Sequence, residues 1–131
     1  MNLELALRMC EVAVREARRL GALVSVAVVD GGGHLVAFQR MDGAGIGGSE
    51  LAPAKAYTAV ALGRETAELA PLTAPGEELY GLPLRFACLP GGVPLRDADA
   101  VIGGVGVSGG SPEQDVACAR IAASLWEDLR L

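Results

Sequence analysis

The sequence predicts an α+β fold built on a mainly antiparallel sheet. Three observations carry this. Apolar residues recur at helical period over residues 3–20 and again from Pro112 to about Asp128. Between them lie short apolar runs, separated by glycine turns that join neighbours as hairpins. The resulting order, α-β-β-α-loop-β-β-β-α, does not alternate strands and helices one for one, as a doubly wound sheet would. No repeat or linker divides the chain, so residues 1–131 are expected to form one domain.

Residues 3–20 place Leu3, Ala6, Leu7, Cys10, Ala13, Val14 and Ala17 on one side, and Glu4, Arg8, Glu11, Arg15, Arg18 and Arg19 on the other. Gly21 is a natural stop. Leu23 to Val29 is apolar on nearly both faces, which predicts a central strand covered on both sides. Asp30-Gly31-Gly32-Gly33 turns the chain, and His34 to Arg40 returns as the hairpin partner. A glycine-rich loop, 41–48, precedes a helix expected over Glu50–Gly63 and capped by Ser49. Pro53 is tolerated in its first turn. Thr66–Ala70 reads as a short helical turn and Thr73–Pro83 as loop. Leu84–Leu89 reads as a strand, Pro90–Pro94 as a turn, Leu95-Arg96 as a short strand and Asp97-Ala98-Asp99 as the next turn.

Val101 to Val107 then forms a strand. Alternation puts Val101, Val105 and Val107 on one face and Ile102, Gly104 and Gly106 on the other. A glycine face in a strand predicts close approach of another backbone or a ligand. Ser111, Pro112 and Gln114 form a capping box for the last helix. Its apolar stripe is read as Cys118, Ile121, Ala122, Leu125 and Leu129. Residues 104–109 also spell G-x-G-x-x-G. Two of these glycines lie inside the strand and no second parallel strand follows, so this is not a dinucleotide fingerprint.

Composition excludes several classes. Hydrophobic residues make up 51% and charged residues 21%, which places the chain among globular proteins. A net charge of −5 without a basic cluster argues against nucleic acid and anionic membrane surfaces. No apolar run is long enough to span a bilayer, and no leader is expected at the N-terminus. The default compartment is the cytoplasm. Cys10, Cys88 and Cys118 lack metal-ligand spacing and are expected as buried, reduced thiols; no metal site is expected.

The helix over 50–63 is apolar or small almost all round, with Lys55 its one interior charge. Such a helix must be covered all round, which predicts self-association through it, with Ala52, Ala56 and Ala59 permitting close approach. Lys55 and Thr58, a turn apart, form either a candidate pocket wall, in which the lysine takes an acidic group such as a carboxylate or acts as a base, or a subunit interface at which the lysine snorkels. Arg40 is a candidate second cation. Gly91, Gly92, Val93 and Pro94 are candidates for backbone contact with a ligand. His34, the one histidine, reads as a lone surface histidine, with an imidazole-ligand role as the alternative.

Three stretches resemble a known family. They are Val26-Ala27-Val28-Val29-Asp30-Gly31-Gly32-Gly33-His34-Leu35 through Arg40-Met41-Asp42; Ala54-Lys55-Ala56-Tyr57-Thr58-Ala59; and Pro90-Gly91-Gly92-Val93-Pro94-Leu95 with 102–110. In this order they resemble the GlcG/HbpS family, called haem-degrading or haem-binding, which includes the C-terminal domain of PduO-type corrinoid proteins. The resemblance implies a profilin-like, five-stranded antiparallel sheet flanked by helices, and homo-oligomers from dimers upward. It also implies haem as the cofactor or ligand of some members. The sequence departs from the pattern at Asp97-Ala98-Asp99-Ala100, which lacks a glycine, and in its first helix, which lacks the histidine associated with the PduO-type domain.

Three functional readings stand open: a small-molecule binder for haem or another tetrapyrrole; an enzyme on a small, glycolate-type carboxylate with Lys55 as anion binder or base; and an accessory oligomer.

Overall fold

A computed structural model describes residues 1–83 and 85–130. In chain order the elements are α1 (Leu3–Leu20), β1 (Ser25–Asp30), β2 (Leu35–Arg40), α2 (Ile46–Leu62), α3 (Thr66–Leu69), β3 (Gly92–Asp97), β4 (Ala100–Ser108) and α4 (Pro112–Leu129). The sheet is antiparallel with strand order β2-β1-β4-β3. α1 and α4 pack on one face and α2 on the other.

β1 is buried on both faces, as its continuous apolar run predicts. Val26 and Val28 join the core under α1 and α4, whereas Ala27 and Val29 meet Ala52 and Ala56 of α2. The helix ends follow local chemistry. The Asn2 side chain accepts from the Leu5 N–H at 2.8 Å, and Gly21 closes α1 with φ 75°. Ser111 and Gln114 form the reciprocal capping box that opens α4.

The close backbone facing the glycines of β4 is α2. A Cβ on Gly106 would overlap the Ala52 carbonyl oxygen and stand 2.6 Å from the Ala56 nitrogen. On Gly104 it would stand 2.8 Å from the Ala56 carbonyl oxygen. Helix and strand therefore meet at a spacing only glycine allows.

Several expectations are corrected. Among the described residues the sheet has four strands, not five. Residues 85–89 form no strand, and Leu84 lies outside the described residues. The Ala87 N–H instead donates to Thr58 Oγ1 at 2.9 Å, and the Leu89 carbonyl accepts from Thr66 Oγ1. Side chains of α2 and α3 thus take the groups a ladder would have used. The turn read over 90–94 is largely strand, since β3 begins at Gly92. Pro94 is tolerated because β3 is an edge strand.

α2 starts at Ile46 rather than after Ser49, with Gly45 at its N-cap and no side-chain cap. Gly48 lets this first turn settle on the sheet: a Cβ there would lie 3.0 Å from the Ser108 carbonyl oxygen. Ala52, Ala56 and Ala59 are fully buried in the chain itself, with Ala52 and Ala56 seated on the sheet, so none of the three is free to receive a partner. A bulge at Ile102, the extra residue between the pairs Leu95↔Gly103 and Arg96↔Val101, turns Ile102 toward α1 and α4. Val101 instead approaches Gly63 at the end of α2. On α4 the buried stripe is Asp115, Cys118, Ala119, Ala122, Ala123 and Trp126, while Ile121 and Leu129 are exposed. Small residues face inward because α4 packs tightly beside α1.

Candidate functional site

Lys55 sits on the sheet-facing stripe of α2 and is 3% exposed. Its ammonium donates to the Val107 carbonyl at 2.9 Å and to Asp115 Oδ2 at 3.2 Å. The other carboxylate oxygen of Asp115 accepts from the Gly110 N–H at 2.9 Å. One buried ion pair thus ties α2 to the β4–α4 turn. Burial pushes the Lys55 pKa down, and the attraction of Asp115 opposes that shift.

Gly91 and Gly92 close over this pair. Gly91 has φ 126°, and a Cβ there would lie 3.1 Å from Lys55 Nζ. The Gly91 carbonyl accepts from the Val107 N–H at 2.9 Å. The Gly92 N–H donates to Thr66 Oγ1 at 2.8 Å, and a Cβ there would stand 2.5 Å from the Lys55 carbonyl oxygen. Both positions are glycine because backbone lies directly beneath, the Val107 carbonyl under Gly91 and the α2 backbone under Gly92.

Beside this cluster a groove of about 410 Å³ opens between α3 and the first half of α4. Ala67, Pro90, Pro112, Val116 and Ala117 form its apolar wall; Glu113 and Arg120 are its charged groups. Arg120 pairs with Glu65 at 3.1 Å. The groove can hold a flat apolar body and offer one cation to an acid group.

The structure therefore brings together Lys55, Gly91 and Gly92. The other candidates lie elsewhere. Thr58 donates to the Ala54 carbonyl at 2.7 Å and fixes Ala87. Val93 is buried in the core under α1 and α4. Pro94 is paired with Gly104 in the sheet. Arg40 donates to the Ala44 carbonyl at 2.6 Å at the end of β2. The His34 side chain is 82% exposed on the β1–β2 hairpin, with Asp30 at 3.3 Å. Asp115 and the groove-lining residues were not singled out from the sequence. Asp115 was detectable: a lone lysine inside an apolar helix needs a counter-charge, and Asp115 falls on the inward stripe of α4 with Cys118 and Ala122.

All three cysteines are free and buried. Burial pushes the Cys10 thiol up to about 12 and the Cys118 thiol up to about 11. Neither is a nucleophile at neutral pH. Among the described residues no group of three His, Cys, Asp or Glu could hold a metal ion. Among them, too, no helix is long and apolar enough to cross a membrane.

Residues 1–124 match the family described as haem degrading protein HbpS-like. The chain belongs to this family. One relative, an uncharacterised 15.0 kDa protein from the dhaT-dhaS intergenic region of Citrobacter freundii, is 37% identical over 98% of this chain and 94% of its own length. The corrinoid adenosyltransferase PduO of Salmonella typhimurium is 40% identical over 88% of the chain. The match spans 35% of PduO, so the chain resembles a part of that protein. Among solved structures, the PduOC:haem complex superposes with a TM-score of 0.90 at 37% identity, covering 95% of this chain and 94% of that one.

Proposed function

We propose that this HbpS-like chain binds a small molecule of the haem or tetrapyrrole class in the groove between α3 and the first half of α4. The observation that carries the reading is the groove's lining, an apolar wall of about 410 Å³ with the Arg120 guanidinium at hand. A macrocycle's faces suit that wall, and its acid groups suit the guanidinium. The likeness to a solved haem complex supports the same ligand class. Among the described residues the lining includes no imidazole and no thiol, so the reading is of a ring held by its faces rather than by its metal. Titration of the protein with haemin tests it. A saturable, shifted Soret band is expected; a spectrum matching haemin with an unrelated protein contradicts it.

The alternative, an enzyme on a small carboxylate with Lys55 as base, draws on the lowered pKa of that lysine. It has less support, because the ammonium is 3% exposed and already donates to Val107 and Asp115. In that reading, Lys55→Ala abolishes any turnover found in a metabolite screen. Self-association is a further part of the proposal. Its support is the set of large apolar side chains left at the surface, among them Leu3, Leu35, Leu89 and Ile46, the last 84% exposed.

A further inference from the structure

We infer that the start of α2, Arg40 and Ser25 together form a binding niche for a small oxyanion, a carboxylate or a phosphate, separate from the groove on α4. α2 has 17 residues, and its first turn carries neither a side-chain cap nor an acidic residue. The Gly48 N–H already donates to the Gly45 carbonyl at 3.3 Å, which leaves the N–H groups of Ile46 and Gly47 and the positive end of the dipole to face an incoming group. Gly45 and Gly47 are exposed, and a Cβ on either would meet nothing within 4 Å, so the approach is open. Such ends bind anions when a second group cooperates.

Two independent features supply that cooperation. Ser25 is fully buried beneath this turn, and its Oγ lies 3.6 Å from where a Cβ on Gly48 would stand. Among the described residues it is the one buried side-chain nitrogen or oxygen without a hydrogen-bond partner. A buried hydroxyl is normally paired, so an orphan under a bare helix start marks a missing oxygen or donor. Arg40 is the second feature. Ser25 pairs across the sheet with both Arg40 and Ser108, and directly opposed residues share a face. That face is the one α2 covers. The Arg40 guanidinium donates to the Ala44 carbonyl, just before the helix begins, and has further N–H groups to offer. Asp42 and Glu50 are the acids nearest in sequence, and both are exposed.

Amide chemical shifts of the isotope-labelled full chain test the niche, with sodium phosphate and sodium acetate titrated separately against sodium chloride at equal ionic strength. Saturable shifts at Ile46, Gly47 and Gly48 are expected with phosphate, acetate or both. Response to phosphate alone identifies a phosphate site, and response to acetate alone a carboxylate site. Arg40→Ala should weaken the saturable response at least tenfold, and Ser25→Ala should weaken it while the rest of the spectrum stays in place. Shifts that grow linearly and match those in chloride overturn the niche, and so does unchanged binding in Arg40→Ala. If Ser25→Ala alters the fold, Arg40→Lys decides: retained but weaker binding supports the niche, and binding equal to the parent chain overturns it.

Discussion

Lys55 of α2 and Asp115 of α4 stand 60 residues apart in sequence and 3.2 Å apart in space, both nearly inaccessible to water. The carboxylate also holds the Gly110 N–H, so the pair fixes the turn that carries the chain from sheet to last helix. Removing one partner strands the other charge in the interior. Asp115→Ala and Lys55→Ala should each cost about 3–5 kcal/mol. The double replacement Lys55→Met with Asp115→Leu should recover much of that loss, because no buried charge then remains. Urea unfolding midpoints check this, and two single variants as stable as the parent would contradict it.

Gly106 sits where any Cβ would overlap the Ala52 carbonyl. Gly106→Ala must push α2 off the sheet and should leave little folded protein. Gly47 is the matching control, since it has open space at the same helix. Gly47→Ala should be neutral or stabilise by up to about 1 kcal/mol, through lower conformational freedom in the unfolded chain. Circular dichroism melts of the two variants separate them.

Alkaline pH probes the buried thiols. In the unfolded chain the cysteines ionise near their ordinary value of 9.0, while folding holds Cys118 up to about 11 and Cys10 up to about 12. Above pH 9 the folded state therefore binds more protons than the unfolded state, and stability falls as pH rises toward those values. Each such group contributes up to about 1.4 kcal/mol per pH unit. The depressed Lys55 acts with the opposite sign, because its buried charge is relieved as pH approaches 10.5. Burial also pushes the Cys88 thiol up, so three thiols against one lysine give a net fall. Cys10→Ala should flatten the decline in urea midpoints between pH 9 and pH 11; an unchanged slope would show that Cys10 is not its source.

The helices and the first hairpin were legible because their signals are local: periodicity, an N-cap serine, glycines in turns. The glycine face of β4 was legible too, as a sign that some backbone comes close. What the sequence hid was identity across distance. Nothing near Ala52 and Ala56 says that their cover is the chain's own sheet rather than a second subunit. Ala56→Glu is therefore expected to unfold the chain by burying a charge, whatever its oligomeric state. Residues 85–89 have strand-like composition, yet Thr58 and Thr66, far back in the chain, take their backbone groups. Of the candidate ligand-contact residues, Lys55, Gly91 and Gly92 lie side by side, with the lysine turned onto Val107 and Asp115. The groove beside them depends on α3, Pro90 and α4 converging, which no local pattern announces.

Surface apolar side chains give a prediction about assembly. The chain is expected to run as a dimer or larger species in size-exclusion chromatography with light scattering. Replacing Ile46, 84% exposed, with Lys should leave the fold intact, since nothing is buried there. A monomeric mass at micromolar concentration would contradict self-association.

The most direct test of ligand binding places a bulky side chain in the groove. Ala117 lies on its wall, so Ala117→Phe should fill the space a ring would use. Haemin titrations of the parent chain, Ala117→Phe and Arg40→Ala are then compared by Soret absorbance. The account predicts saturable binding by the parent chain and by Arg40→Ala, with affinity lowered at least tenfold in Ala117→Phe at unchanged unfolding midpoint. Parent-like binding by Ala117→Phe, or no saturable band from the parent chain, would contradict it.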